Sequence, residues 1–329
     1  MEVRNQSAVS HFFLQGFPLS AQLQVCAFVS VLLIYMLSLA LNIIIILITC
    51  LDYRLHTPMY MLLSNLAFQD MWFMTSTVLK MLICLAEGDN RISFSGCILQ
   101  MYFYLSLGST EFFILGIMSV DRYVAICYPL HYNVIMTGRR CIHFLIGCWT
   151  GGFLCFILPM VMTSMLPFCS SNIINHFFCD AAAVVTLACS PTQRLELLFF
   201  SIASTVILSS FLVTVISYIF IVTAILQIPS SSGRRKAFST CASHFVVVTI
   251  VYGSCIFIYV TQQDSSSLDV TKIVAILNSV INPVLNPLIY TLRNKKIKDI
   301  LRETVTKIFF KMRVILVDSE QDRANDNLA

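Results

Sequence analysis

Charged residues are scarce in this chain. Asp, Glu, Lys and Arg make up only 12% of its 329 residues, whereas about 25% is usual in a soluble globular protein. Long windows contain none of the four: 5–51, 92–110, 141–179, 197–233, 237–263 and 273–292. Each can hold the roughly 20 apolar residues that cross a bilayer as a helix. This scarcity argues against a soluble domain and predicts a membrane protein.

One further stretch is apolar but carries charge. Residues 59–85 contain Asp70 and Lys80 and are otherwise apolar. With this stretch the sequence predicts an all-α, seven-transmembrane helix bundle within residues 23–292. We expect residues 1–22 to form a segment on one side of the membrane and residues 293–329 to form a helix and tail on the other.

The chain also lacks the marks of two other membrane classes. It shows no internal repeat, and seven spans do not divide into the matching halves that many transporters have. Its six histidines are scattered between both faces, and no nucleophile–base pair or metal-spaced cluster is present. The sequence therefore argues against a transporter and an enzyme, and it predicts no catalytic residue and no metal site.

Basic residues are distributed unequally between the two sides. With the N-terminus outside, sixteen fall on the inner side and five on the outer side. Positive residues accumulate in cytoplasmic loops, so we expect a multi-pass protein of the plasma membrane with an extracellular N-terminus and a cytoplasmic C-terminus. The inner positive charge suits anionic lipid better than nucleic acid. Asn5-Gln6-Ser7 fits the N-glycosylation sequon and would lie outside.

Three polar residues fall deep inside predicted spans. Asn42, in the first span, must find a partner in a neighbouring helix. Asp70 and Glu111 each lie roughly 18 Å along their helices, where two ionised carboxylates would repel each other. Two interpretations stay open: a shared Asp70/Glu111 site that holds a sodium ion, or a neutral Glu111 that donates one interhelical hydrogen bond.

Four of the thirteen cysteines fall on the predicted outer side: Cys97, Cys169, Cys179 and Cys189. An oxidising compartment and an even number favour disulfides, but four cysteines permit three pairings, and spacing alone does not choose. Two bridges would hold the long loop 164–196 over the bundle mouth as a lid. A zinc site with His176 is the alternative, although the ten-residue gaps are not ligand spacing.

An acid and an arginine stand side by side at the inner end of the third span, in Asp121-Arg122-Tyr123. Ionisable groups near a membrane core are costly, so they tend to face the bundle interior and to be functional. A helix-end ion pair at the headgroups is the simpler alternative. The longer run from Met118 to Tyr132, in which Pro129 stops the helix, favours a switch.

The seventh span ends in a proline- and asparagine-rich run, 282–290. Its two prolines each remove a backbone hydrogen bond and bend the helix, while Asn282 and Asn286 can satisfy the freed carbonyls. The bend is a hinge candidate, although a purely structural kink would give the same pattern. Beyond Asn294, apolar residues at three- and four-residue spacing predict an amphipathic helix on the inner leaflet, with a disordered tail from Asp318.

Taken together, these motifs resemble those of the rhodopsin-like G-protein-coupled receptors and, within them, the olfactory receptors. The resemblance extends from the sequon to Asn294. Its most specific stretches are Pro58–Asp70, Asp121–Tyr132, Lys236–His244 and Pro283–Asn294. It implies two disulfides, Cys97–Cys179 from the third span to the lid and Cys169–Cys189 within the lid. It also implies a switch read by a G protein, formed by Asp121, Arg122, Tyr123, Asn286, Pro287 and Tyr290.

The resemblance further implies a ligand pocket in the outer half, between the third, fifth, sixth and seventh spans. Its inward positions in this chain are Tyr104, Leu105, Gly108, Ser109, Phe199, Ile202, Ala203, Val206, Tyr252, Cys255, Ile256, Tyr259, Ile276 and Ser279. This lining is mostly apolar with a few hydroxyls, which suits a small, volatile, weakly polar odorant. No acid stands at the third-span positions where amine receptors hold a cation, which argues against a charged amine.

The implied function is an odorant receptor that activates a stimulatory, olfactory-type G protein and raises cyclic AMP. A non-olfactory receptor of the same fold is the alternative. No cofactor is expected beyond the sodium ion considered above.

Overall fold

Long helices dominate the chain. A computed structural model describes residues 9–16, 18–169, 172–261, 268–294, 296–304 and 306–307. The helices are α1 (Ala21–Leu51), α2 (Pro58–Glu87), α3 (Phe94–Cys127), α4 (Tyr132–Ile135), α5 (Gly138–Leu154), α6 (Ile157–Ser164), α7 (Ala181–Val185), α8 (Gln193–Leu226), α9 (Ser231–Thr261), α10 (Leu268–Ile276) and α11 (Asn282–Arg293). A π-helical turn, Leu277–Ile281, joins α10 to α11, and residues 296–304 form a further helix.

Seven helical units form the bundle, as the sequence predicts. We call them the first to seventh spans: α1, α2, α3, α5 with α6, α8, α9, and α10 with α11. Five are long and apolar enough to cross a membrane, and the sixth span, bent by 45°, qualifies if its two halves are joined. The second span falls short because polar residues lower its mean hydropathy. Two of these, Gln69 and Asp70, are buried inside the bundle.

The outward faces of the spans are apolar. Leu33, Val25 and Leu208 are each more than 60% exposed, and many other leucine, isoleucine and phenylalanine side chains are exposed around the bundle. Water would not tolerate apolar patches of this extent on a monomer, whereas lipid tails cover them without cost.

A small three-stranded sheet covers one end of the bundle. Strand β1 (His11–Leu14) lies between β2 (Arg91–Ser93), to which it is antiparallel, and β3 (Ile173–Ile174), to which it is parallel. Alternation along β1 buries Phe12 and Leu14 completely. The sequence did not predict this strand, because four residues before the first span carry too short a pattern to stand out.

The lid, the loop between the fourth and fifth spans, is tied to this same end. Disulfides join Cys97 to Cys179 and Cys169 to Cys189, the pairing that the resemblance implies. Within the lid, the carboxylate of Asp180 accepts hydrogen bonds from two backbone amides at the start of α7 and so stabilises that helix. We call this end of the bundle the disulfide end and the other the Arg122 end.

The first and seventh spans are joined at a freed backbone carbonyl. Pro287 has no N–H to donate to the carbonyl of Pro283, four residues earlier. Two donors from the first span replace it: Ser38 Oγ at 3.0 Å and Asn42 Nδ2 at 2.9 Å. Asn42, predicted to seek a partner in another helix, therefore binds the seventh span.

The expectation that Asn282 and Asn286 satisfy the freed carbonyls was wrong. Asn286 donates instead to Asp70, and Asn282 donates to the side chain of Asn278. A buried carboxylate is the stronger acceptor for Asn286, and the first span already supplies donors for the Pro283 carbonyl.

The helix 296–304 packs against the Arg122 end. Ile297 and Ile300 of its apolar stripe are buried in the core formed with the bundle. Arg54, just before the second span, contacts Glu303 and Asp52 at 2.8 Å each. The Arg54 guanidinium lowers the pKa of Asp52 to about 2 and also lowers the pKa of Glu303. Asn5 and the tail from residue 308, including the predicted disordered segment, lie outside the described residues.

Candidate functional site

A cavity of about 470 Å³ lies beneath the lid at the disulfide end. The third, fifth, sixth and seventh spans surround it, and α7 of the lid covers it. Eight of the predicted pocket residues line it: Tyr104, Leu105, Gly108, Ser109, Phe199, Ala203, Val206 and Cys255. A cavity of this size and lining can hold a small, largely apolar molecule.

Other predicted pocket residues lie elsewhere. On the sixth span, Tyr252 is buried below the cavity and Ile256 is 50% exposed on the outer surface, because Val251 and Cys255 occupy the inward face. Ile202 is partly exposed and is not among the lining residues. The side chain of Tyr259 lies outside the described part of the structure.

The π-helical turn changes which residues of the seventh span face the main cavity, so the prediction for this span was wrong. Ile276 and Ser279 line a separate cavity of only about 10 Å³, against the second span and the lid. Asn278 and Asn282 line the main cavity instead. A π turn places five rather than four residues in one hydrogen-bonded turn, so the inward face of a regular helix is not the inward face here.

Several lining residues were missed although helical spacing could have found them. Phe112 stands one turn after Gly108, and Ile207 one turn after Ala203. Others carried no signal in the sequence because they come from the lid or from the second and fourth spans. The further lining residues are Phe73, Glu111, Phe156, Asp180, Ala181, Ala182, Val185, Thr186, Glu196, Phe200, Val251, Asn278 and Asn282.

Three of the lining residues are acidic. Glu111 lies within the third span, while Asp180 and Glu196 belong to the lid and the start of the fifth span. Asp180 also caps α7, and Glu196 accepts a hydrogen bond from Thr192 Oγ1 at 2.6 Å. No Lys, Arg or His is found in the described lining. The described lining therefore contains acidic side chains and no basic one, which the sequence did not predict.

Glu111 connects the cavity to a buried polar cluster. Asp70 is 1% exposed and accepts hydrogen bonds from Asn286 Nδ2 at 3.0 and 3.2 Å. Its carboxylate interacts electrostatically with Glu111. The Oε1 atom of Glu111 is buried and has no hydrogen-bond partner among the described residues. An unpaired buried oxygen is costly. A proton or a cation bound to Glu111 would therefore stabilise this cluster.

Below the cavity, aromatic rings link three spans. The ring of Tyr252 lies 5.3 Å from that of Phe112 on the third span and 5.2 Å from that of Phe211 on the fifth. Since Phe112 itself lines the cavity, a molecule bound there would contact a ring that packs on the sixth span.

The lid carries a buried histidine. His176 is 6% exposed and packs edge-on against Phe178, with ring centroids 4.3 Å apart. Burial lowers the pKa of His176, although the charge of Asp180 opposes this shift. The neutral ring is thus the form that the lid accommodates. Among the described residues, no group of three or more His, Cys, Asp and Glu side chains could hold a metal ion.

At the Arg122 end, the predicted switch residues are buried. Arg122 is 6% exposed and pairs with its neighbour Asp121. Tyr132 donates its hydroxyl to Asp121 at 2.7 Å, and burial followed by the Asp121 charge raises the pKa of Tyr132. Asp121, which also accepts a hydrogen bond from Tyr132, therefore holds the Arg122 guanidinium inside the bundle.

The other predicted switch residues lie on the seventh span and at the end of the third. Tyr290 is 2% exposed and its hydroxyl has no hydrogen-bond partner among the described residues, while Pro287 and Asn286 are buried in the same span. Tyr123 instead points to the loop, where its hydroxyl meets that of Tyr128 at 3.4 Å. Between the fifth and sixth spans, Tyr218 bonds His244 Nδ1 at 2.8 Å.

Comparison with known proteins gives consistent matches over almost the whole chain. The family model described as "Olfactory receptor" matches residues 31–311. The chain is 48% identical to human Olfactory receptor 6F1 over 301 residues, which cover 92% of this chain and 98% of that protein. It is 47% identical to mouse Olfactory receptor 6E1 and 46% identical to rat Olfactory receptor 287, in each case over 92% of this chain and 97% of the relative.

Proposed function

Because the chain belongs to the olfactory receptor family, we propose that the cavity beneath its lid is the site at which it binds odorants. Members of this family are receptors that couple to G proteins, and they are not enzymes. The observation that carries the proposal is a cavity of about 470 Å³ with a largely apolar lining. Burial of an apolar ligand contributes about 25 cal/mol per Å² of surface removed from water, which suits molecules with few polar groups.

The disulfide end faces the outside in this proposal. The bridges Cys97–Cys179 and Cys169–Cys189 need an oxidising compartment. The Arg122 end then faces the cytoplasm, where most of the basic loop residues fall. In this orientation Asn5 is extracellular and open to glycosylation. The helix 296–304 lies at the inner leaflet, with lysines available to anionic lipid.

Signalling proceeds through the sixth span. A ligand packed on Phe112 and Val251 favours an arrangement in which Tyr252 shifts between its two ring neighbours. The ligand acts only through its different affinity for the two arrangements. For the inner end of the sixth span to move outward, the Tyr218–His244 contact at 2.8 Å must open. Arg122 is then released from Asp121 and meets a stimulatory, olfactory-type G protein that raises cyclic AMP.

A cyclic AMP assay tests this function. Cells that express the chain are screened against a broad odorant panel, and the active odorants are repeated on Arg122→Ala. We expect the variant to reach the cell surface and give no response, since it lacks the released guanidinium. Arg139→Ala, which removes an exposed arginine from the same end, is the matched control and should respond normally. A full response from Arg122→Ala would contradict the switch.

The buried acids supply a second proposal, a sodium ion between Asp70 and Glu111. The unpaired Oε1 of Glu111 would supply an oxygen ligand in addition to the Asp70 carboxylate, and an ion between two acids would remove their repulsion. Purified receptor should melt at a higher temperature in sodium than in choline chloride. The difference should disappear in Glu111→Gln; if it persists there, the ion site is wrong and a neutral Glu111 remains.

A further inference from the structure

The seventh-span wall of the cavity carries two amide side chains, Asn278 and Asn282. We infer that this pair is a subsite for a hydroxyl group, so that the receptor prefers alcohols and phenols to isomeric ethers and to carboxylic acids. The inference rests on the proposed odorant site and names the class of ligand that the site selects.

The hydrogen bond within the pair leaves the amide nitrogen of one residue and the amide oxygen of the other free. Asn282 Nδ2 donates to Asn278 Oδ1 at 3.0 Å. Asn278 Nδ2 and Asn282 Oδ1 make no other side-chain hydrogen bond within the described part of the chain. Reversing both amides exchanges the roles of the two residues but still leaves a free donor and a free acceptor.

A hydroxyl group matches this free capacity. It donates one hydrogen bond and accepts another from the same oxygen, whereas an ether or ester oxygen only accepts. Asn282 is 9% exposed, so little water competes for its acceptor. A buried acceptor left without a partner costs more than the hydrogen bond itself is worth. An acceptor-only ligand would therefore cover Asn282 and leave its oxygen unsatisfied.

The π-helical turn is the reason why both amides face the cavity. Leu277–Ile281 contains Asn278, and Asn282 begins α11 directly after it. The neighbouring Ser279 donates to the backbone of Ala275 in its own helix and lies outside the main cavity. Asn278 therefore belongs to the subsite, whereas the next residue, Ser279, bonds only within its own helix. Ser279 provides a matched control.

The charge of the cavity selects against acids. Asp180 and Glu196 belong to its lining, and the described lining contains no basic side chain. A carboxylate ligand would face like charge without a counter-ion, which is costly in a low-dielectric site. A neutral hydroxyl group avoids this repulsion. The rest of the ligand meets apolar surface, including Phe73, Phe112 and Val206.

Matched ligands test the inference on the wild-type receptor. The probes are 1-octanol, its isomer heptyl methyl ether, and octanoate, together with two further alcohol–ether pairs, one of them phenolic. Cyclic AMP dose–response curves give the concentration for half-maximal response to each. We expect the alcohol of each active pair to act at about tenfold lower concentration than its ether, the factor for roughly one neutral hydrogen bond. Octanoate should be inactive.

Variants then assign the preference to the amide pair. The double variant Asn278→Leu with Asn282→Leu keeps the side-chain volumes but removes both amides, including the acceptor that only an alcohol satisfies, and it should bring the alcohol-to-ether ratio close to one. Asn278→Ala with Asn282→Ala repeats the test with smaller side chains if the leucine variant does not reach the surface. Ser279→Ala should keep the wild-type ratio.

The outcomes separate the two proposals. A wild-type receptor that responds to ethers, esters or acids as well as to alcohols overturns the subsite, and so does a ratio that survives in both double variants. If no odorant of any class raises cyclic AMP while the receptor is at the surface, the proposed function fails instead.

Discussion

Gly152 allows the fourth span to approach the third, and replacing it with alanine should disrupt that contact. A Cβ atom at Gly152 would collide with Thr110 Oγ1 and would stand 2.9 Å from the carbonyl oxygen of Ser106 and 3.0 Å from the backbone nitrogen of Thr110. The hydroxyl can rotate away, but the two backbone atoms cannot. Relief therefore requires one helix to move. Close backbone approach at small residues is a common way to pack helices in membranes.

The expected size of the effect follows from two opposing contributions. Overpacking costs about 1–3 kcal/mol, and we take the upper end because backbone atoms are involved. Alanine in place of glycine stabilises a helix interior by about 1 kcal/mol. With an unfolding entropy of about 2.1 cal/mol/K per residue, the net loss of about 2 kcal/mol corresponds to a melting temperature lower by about 3 °C for a chain of this length. The assay is thermal unfolding of purified receptor in detergent.

Gly147→Ala is the matched control. Gly147 lies in the same helix, and a Cβ there would meet nothing within 4 Å, so only the helix-propensity contribution applies. This variant should melt at the wild-type temperature or slightly above it. If Gly152→Ala and Gly147→Ala melt alike, the close approach of the third and fourth spans is wrong.

Three further changes probe other contacts. Asn42→Leu removes one of two donors to the Pro283 carbonyl and should cost about 0.6–1.7 kcal/mol, as for other interhelical hydrogen bonds in membranes; an unchanged melting temperature would contradict that role. Because burial holds the pKa of His176 below its ordinary 6.5, the unfolded lid binds a proton more readily than the folded lid. Stability should therefore be retained above about pH 6.5 and fall below it, and this fall should shrink in His176→Gln. Glu303→Gln removes an exposed partner of Arg54 and should leave the melting temperature unchanged at low and high salt.

Much of the fold could be predicted because lipid constrains the sequence strongly. Backbone groups in a bilayer must be satisfied within the helix, so six charge-free windows and one apolar stretch with two charged residues were sufficient to predict the seven-helix bundle that the structure contains. The burial of Asp121 and Arg122 followed from the same cost of placing charge near lipid. Strand β1 could not be found in this way, since its partners come from distant loops.

The candidate site was predicted less completely, for geometric reasons. On the sixth span Cys255 lines the cavity as predicted, but Val251 lines it where Tyr252 was expected, a difference of one residue or about 100° of helix rotation. Neighbouring helices set that rotation, and a single helix does not encode it. On the seventh span the π turn shifts the register again, which is why Asn278 was missed.

The helix after the seventh span illustrates a different limit. Its three- and four-residue spacing predicted an apolar stripe for the lipid surface. In the structure, Ile297 and Ile300 enter the protein core. An apolar stripe records only that a face avoids water, and it does not distinguish lipid from protein as the covering material.

The shared carbonyl of Pro283 has a consequence for how the bundle can rearrange. Its two donors come from Ser38 and Asn42 on the first span. We therefore expect the first and seventh helices to keep a fixed separation. Displacement during signalling then concentrates on the opposite side of the helix bundle. The distance between spectroscopic labels on the first and seventh helices should stay constant on activation. The distance between labels on the first and sixth helices should change.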